Sequence, residues 1–104
     1  MGKLKRQYDL DEIKSLVMKG GFRTSKRATN TLRNHGYLDA SGVVRGVFSS
    51  ITHAHFYKSD ELRNIPGVFA DIYKGVPWDD AEWYVKFFQQ SDGATCVDIW
   101  SLKE

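Results

Sequence analysis

Cysteine, proline and long apolar runs are what this sequence has least of, and each scarcity removes a class of protein. The single cysteine, Cys96, closes no internal disulfide and builds no cysteine-rich zinc cluster, which fits a reducing compartment. No stretch approaches the ~20 apolar residues that cross a bilayer, so no membrane partner is expected. The basic opening Met1-Gly2-Lys3-Leu4-Lys5-Arg6 is not followed by a signal-peptide apolar region, and Arg6 stands where a myristoylation motif requires Ser or Thr. A cytoplasmic location is the expectation. Missing too are a Gly-rich phosphate loop, a nucleophile elbow and a His-Glu-x-x-His pair. His53 and His55 would point to different sides of a helix, and Asp79-Asp80-Ala81-Glu82 reads as a solvated turn. No metal or cofactor is expected.

What remains is an ordinary globular composition of 104 residues, 41% hydrophobic and 27% charged. A chain of that size folds as one domain, 1–104, with residues 1–8 expected to be flexible. The net charge of +2 conceals a division. Residues 1–52 carry ten Lys or Arg against four acids, a formal +6, whereas residues 53–104 carry five against nine, a formal −4. Such asymmetry suits a polyanionic partner at the N-terminal half, although a solvated helix surface has the same composition.

Asp9 and Glu12 form a capping box ahead of Leu10, Ile13, Leu16 and Val17, which recur at helical spacing, so 10–19 is expected to be a helix. Gly20-Gly21 ends it, glycine entering the left-handed conformation without steric cost. Thr24 is placed as the cap of a second helix reaching Asn34, with Ala28 and Leu32 inward and His35 a further candidate for that face. Val43 to Phe48 reads as a β-branched strand whose Gly46 marks a bulge. Thr52 is placed as the cap of a short helix from His53 to about Asp60. Three strands follow, Val68 to Lys74, Trp83 to Gln90 and Thr95 to Leu102, separated by a connection at 75–80 and by Ser91-Asp92-Gly93-Ala94. The fold class is therefore α+β: two N-terminal helices and a short middle helix on a mainly antiparallel sheet.

A two-residue Asp92-Gly93 turn fixes the last hairpin's register and sets Tyr84 opposite Ser101. Tyr84, Lys86 and Phe88 then share a face with Val97, Ile99, Ser101 and Lys103, while Trp83, Val85 and Phe87 share the other with Asp98, Trp100 and Leu102. The second is the expected core face. The first, with a phenol and ammonium groups, suits bases and phosphates, as it equally suits a half-exposed sheet.

Arg23-Thr24 after a glycine-ended helix, Phe56-Tyr57-Lys58-Ser59, Asp71-Ile72-Tyr73, Tyr84-Val85-Lys86 and the closing Ser101-Leu102-Lys103-Glu104 resemble, in order and spacing, the motility quorum-sensing regulator (MqsR) family. The resemblance runs from about Leu10 to Glu104. It implies a two-layer fold similar to the RelE and YoeB ribonucleases, and the toxin of a type II toxin–antitoxin system. The implied activity is that of a metal-independent endoribonuclease cutting mRNA at GC-containing sites, which arrests translation and growth. It further implies a cognate antitoxin, through which alone operator DNA is reached.

The family's catalytic lysine, strand tyrosine and C-terminal lysine match Lys58, Tyr84 and Lys103. Its glutamine before the Asp-Ile-Tyr motif does not carry over, because this chain has Ala70, and Arg45, His55 and Asp71 are the candidate substitutes, among which the sequence does not choose. Lys58 and Lys103 suit phosphate and transition-state charge, and Tyr84 proton transfer or phosphate orientation. Arg23, Lys26, Arg27, Arg33, Arg45, Tyr57 and Lys86 complete the candidate RNA-contacting set, the basic helices steering RNA or docking an acidic antitoxin segment. A non-catalytic RNA-binding module that kept the fold is the alternative function.

Overall fold

The computed structural model describes residues 2–3, 5–89 and 96–104. Its elements, in chain order, are β1 (Gly2–Lys3), α1 (Leu10–Met18), β2 (Phe22–Thr24), α2 (Lys26–Asn34), α3 (Ala40–Ser50), a 3₁₀ turn (His53–His55), β3 (Phe56–Glu61), β4 (Phe69–Trp78), β5 (Ala81–Phe88) and β6 (Val97–Lys103). The strands form one sheet in the order β1-β3-β4-β5-β6-β2, antiparallel throughout except for the parallel pair β2 and β6. The α+β class is as expected, with a mixed sheet.

Helix α1 forms as its capping residues dictate, the Asp9 carboxylate accepting from the Asp11 and Glu12 backbone N–H groups and Leu10, Ile13 and Val17 buried. Helix α2 begins one residue later than expected, because Ser25 rather than Thr24 caps it, its hydroxyl accepting from Ala28 N at 3.0 Å. Thr24 instead ends the short strand β2, which the sequence reading lacked, and His35 does not turn inward but stands exposed at the C-cap of α2.

The middle of the chain overturns two expectations. Residues 40–50 are a helix, not a strand: Val43, Val44, Val47 and Phe48 recur at helical spacing and are all buried, and Asp39 caps the N-terminus. Burial of a matched apolar stripe overrides the β preference of valine. Gly46 is therefore no bulge; a Cβ there would stand 2.2 Å from Trp78 Cε2, so its role is close helix–sheet approach. Conversely, the expected helix from His53 to Asp60 is a single 3₁₀ turn followed by β3, whose backbone pairs with β4.

Strand β4 extends to Trp78 and so absorbs most of the expected 75–80 connection. A register shift between Tyr73 and Val76 contains Gly75 at φ +71°, a bulge position that favours glycine. Asp79 and Asp80, both at positive φ, then close a two-residue hairpin between the paired Trp78 and Ala81.

The last hairpin also differs. Tyr84 pairs with Lys103 and Lys86 with Ser101, then a shift brings Phe87 opposite Ile99 and Phe88 opposite Asp98. The expected Asp92-Gly93 turn lies outside the described residues. A two-residue slip preserves faces, so Tyr84, Lys86, Ser101 and Lys103 stay together, but the bulge sends Val97 and Ile99 into the core and turns Trp100 away from it.

The main core lies between one sheet face and the helices: Trp83, Tyr73, Phe48, Phe87 and Leu102 are among its fully buried side chains. Burial of an apolar side chain such as Phe48, Phe87 or Leu102 contributes roughly 1.5–3 kcal/mol. No helix is long and apolar enough to cross a membrane among the described residues.

Candidate functional site

Alternation along β3 to β6 leaves the sheet's second face uncovered by α1 and α3, and five of the sequence-derived residues, Tyr57, Lys58, Tyr84, Lys86 and Lys103, gather there. Cross-strand pairing sets Lys58, Ile72, Lys86 and Ser101 in one row across β3, β4, β5 and β6. The neighbouring row holds Tyr84 and Lys103, whose ammonium lies 5.0 Å from the centre of the Tyr84 ring. On the other side of the Lys58 row, Asp60 is paired with Ala70.

A register shift between Phe56 and Lys58 lets Tyr57 join Lys58 on this face. The Lys58 ammonium lies 5.4 Å and that of Lys74 3.7 Å from the centre of the exposed Tyr57 ring. Lys58 Nζ is 3.2 Å from Asp60 Oδ2. The hydrogen bond and charge of Asp60 raise the Lys58 pKa, and burial, with a further contribution from Asp60, raises that of Tyr84. Both shifts favour the protonated forms.

Two cavities open on this face. One, of about 580 Å³, is bordered by Arg27, Asp60, Arg63, Lys86 and Trp100. The other, of about 220 Å³, lies between Arg27 and Thr31 of α2 and the strand residues Tyr84, Lys86 and Lys103. Arg27, Lys86 and Trp100 line both, so together they form a continuous groove with a half-buried indole on its floor.

Other candidates lie elsewhere. Arg23 donates from Nε and Nη2 to the Asp98 carboxylate at 3.0 and 3.2 Å, which engages its charge. Lys26 and Arg33 are exposed on α2 and border neither cavity. Arg45 is exposed on α3, in the helix layer across the sheet from Lys58.

None of the three candidate replacements for a glutamine at Ala70 borders either cavity. Arg45 belongs to the opposite layer. His55 Nδ1 accepts from Thr52 N at 2.9 Å. Asp71 is buried on the helix side, where it accepts from Gln7 N, Tyr8 N and the Ser59 hydroxyl. Ala70 itself is buried with Leu62 and Phe88, against Ile65, Val68 and Trp100. Sequence reasoning missed Asp60 and Trp100, the first because β3 was read as a helix and the second because the β6 bulge was unread.

Among the described residues no three His, Cys, Asp or Glu side chains are grouped to hold a metal ion. Among the described residues the face and its cavities offer ammonium groups, the Tyr57 and Tyr84 phenols, the Arg27 and Arg63 guanidiniums, and the carboxylates of Glu61 and of Asp60, which is paired with Lys58.

The family described as "Motility quorum-sensing regulator, toxin of MqsA" matches residues 5–104, nearly the whole chain. The chain belongs to this family. Membership in the motility quorum-sensing regulator family makes it a toxin of a toxin–antitoxin system and implies a cognate antitoxin. No curated protein matches the chain significantly.

Proposed function

We propose that the chain acts as one toxin domain over residues 1–104, an endoribonuclease that cuts mRNA without a metal ion at GC-containing sites and so arrests translation and growth in the cytoplasm. The observation that carries this reading is the convergence of Lys58, Tyr84, Lys86 and Lys103 on one open sheet face beside the Arg27 groove. Metal-free RNA cleavage needs cations around the charge that develops on phosphorus and a donor for the leaving oxygen. Lys58, Lys103 and Tyr84 supply these in our reading, within a two-layer arrangement similar to RelE and YoeB.

Arg27 and Lys86 hold the phosphate backbone, with Tyr57 beside Lys58 for a base; Arg23, Lys26, Arg33 and Arg45 then act in long-range steering or antitoxin docking. Operator DNA is reached only through the antitoxin. Controlled expression in growing cells, followed by mapping of transcript 5′ ends, tests the reading. Growth arrest with discrete new ends at GC-containing sites supports it; arrest with intact transcripts contradicts it.

One observation favours a second reading. Ala70 sits in an apolar cluster where the family resemblance places a glutamine, which suits a non-catalytic RNA-binding module. Such a module binds RNA with strong salt dependence and leaves it whole.

A further inference from the structure

The residues just assigned can neutralise charge and donate protons, yet none of them accepts one. RNA cleavage by its own 2′-hydroxyl requires an acceptor for that proton. Carboxylates are the ordinary side chains that remain ionised at neutral pH, and the structure disposes of most of those near the face. Asp98 is held by Arg23, Glu61 accepts from Gly67 N at 2.8 Å, and Asp71 lies across the sheet with its oxygens occupied. Asp60 differs: it lies two residues from Lys58 on the same strand and so shares its face, it is partly exposed, and it borders the larger cavity together with Arg27 and Lys86.

We propose that Asp60 is the general base of this site, an inference that rests on the nuclease reading above. Its carboxylate removes the proton of the ribose 2′-hydroxyl as that oxygen bonds to the adjacent phosphorus. The bond from phosphorus to the 5′-oxygen breaks, and Lys58 gives that oxygen a proton. The products are a 2′,3′-cyclic phosphate and a 5′-hydroxyl. Asp60 is left protonated and Lys58 neutral; a proton crossing their 3.2 Å contact restores the ion pair, so the cycle balances without a co-reactant. The cross-strand partner of Asp60 is Ala70, so the carboxylate stands beside the position where the family resemblance places a polar glutamine.

The groups facing Asp60 are Lys58 on its own strand, Tyr84 and Lys86 on β5, Arg27 on α2, and Glu61 and Arg63 beside the cavity. Glu61 is the other carboxylate bordering the cavity, so the variants at Asp60 decide which of the two an acidic limb in the rate profile reports.

The test is single-turnover cleavage of RNA in EDTA by wild type, Asp60→Asn and Asp60→Glu from acidic to neutral pH, beside binding of a 2′-O-methyl RNA that cannot be cut. Asp60→Asn is expected to cleave about 10²-fold or more slowly, to lose the acidic limb and to bind the 2′-O-methyl RNA normally, while Asp60→Glu keeps the limb. Asp60→Asn cleaving at the wild-type rate, or slowly with the acidic limb intact, overturns the inference and leaves the nuclease reading standing. Wild type that leaves RNA whole overturns both.

Discussion

Tyr84 and Lys103 stand directly opposite one another on β5 and β6, with the ammonium 5.0 Å from the centre of the phenol ring. A cation held over an aromatic face orients both side chains, so the ring and the hydroxyl make separable contributions. Tyr84→Phe keeps the ring and removes only the hydroxyl. If the hydroxyl moves a proton or holds phosphate, Tyr84→Phe and Tyr84→Ala both lose about 10²- to 10³-fold in cleavage rate. Single-turnover rates decide it: a phenylalanine variant as fast as wild type restricts Tyr84 to positioning Lys103.

Arg27 and Arg23 are close in sequence but differ in what they can give RNA. Arg27 borders both cavities, whereas Arg23 is bound to Asp98. Arg27→Ala is expected to reduce the salt slope of RNA binding by about 0.7, the value for one phosphate contact on a single strand. Arg23→Ala should leave that slope nearly unchanged. Equal effects would mean that Arg23 releases Asp98 to take a phosphate.

Burial is the largest influence on Asp71 and raises its pKa above the ordinary carboxylate value, against the hydrogen bonds from Ser59, Gln7 and Tyr8. A carboxyl group whose pKa is raised by folding stabilises the fold in its protonated form, and that contribution is lost as pH rises through the folded value. The stability of wild type relative to Asp71→Asn should therefore increase as pH falls from neutral toward the ordinary carboxylate range. Paired unfolding curves measure this. The opposite trend would show that the hydrogen bonds outweigh burial.

The contact of Gly46 with Trp78 leaves no room for a methyl group, since the added carbon would stand 2.2 Å from the indole. Gly46→Ala should destabilise the protein by about 1–3 kcal/mol despite the higher helix propensity of alanine. Thermal unfolding followed by tryptophan fluorescence checks the sign. A stabilised variant would mean that Trp78 moves aside at little cost.

Elements whose signals are local were legible in the sequence. Asp9 announced α1, Gly20 its end, and the aromatic and β-branched runs marked β4, β5 and β6. What failed depended on distant partners. The Val43-Val44 pair suits either a strand or a helix, and only the sheet beneath α3 decides. Phe56–Glu61 is a strand because β4 lies beside it, and a three-residue β2 exists because β6 offers a parallel edge. The same misreading hid Asp60: on a helix it diverges from Lys58, whereas on a strand the period of two puts both on one face. Motif order singles out Lys58, Tyr84 and Lys103 as candidates, and the structure puts Tyr84 and Lys103 opposite one another although the expected register is slipped by two.

The most direct measurement incubates purified protein with a long messenger RNA in EDTA, beside folded Lys58→Ala at equal concentration, and maps the 5′ ends. Discrete cuts at GC-containing sites are expected with wild type, with a loss of about 10²- to 10³-fold in the variant. Intact RNA with folded wild type, or equal cutting by Lys58→Ala, would contradict the nuclease reading.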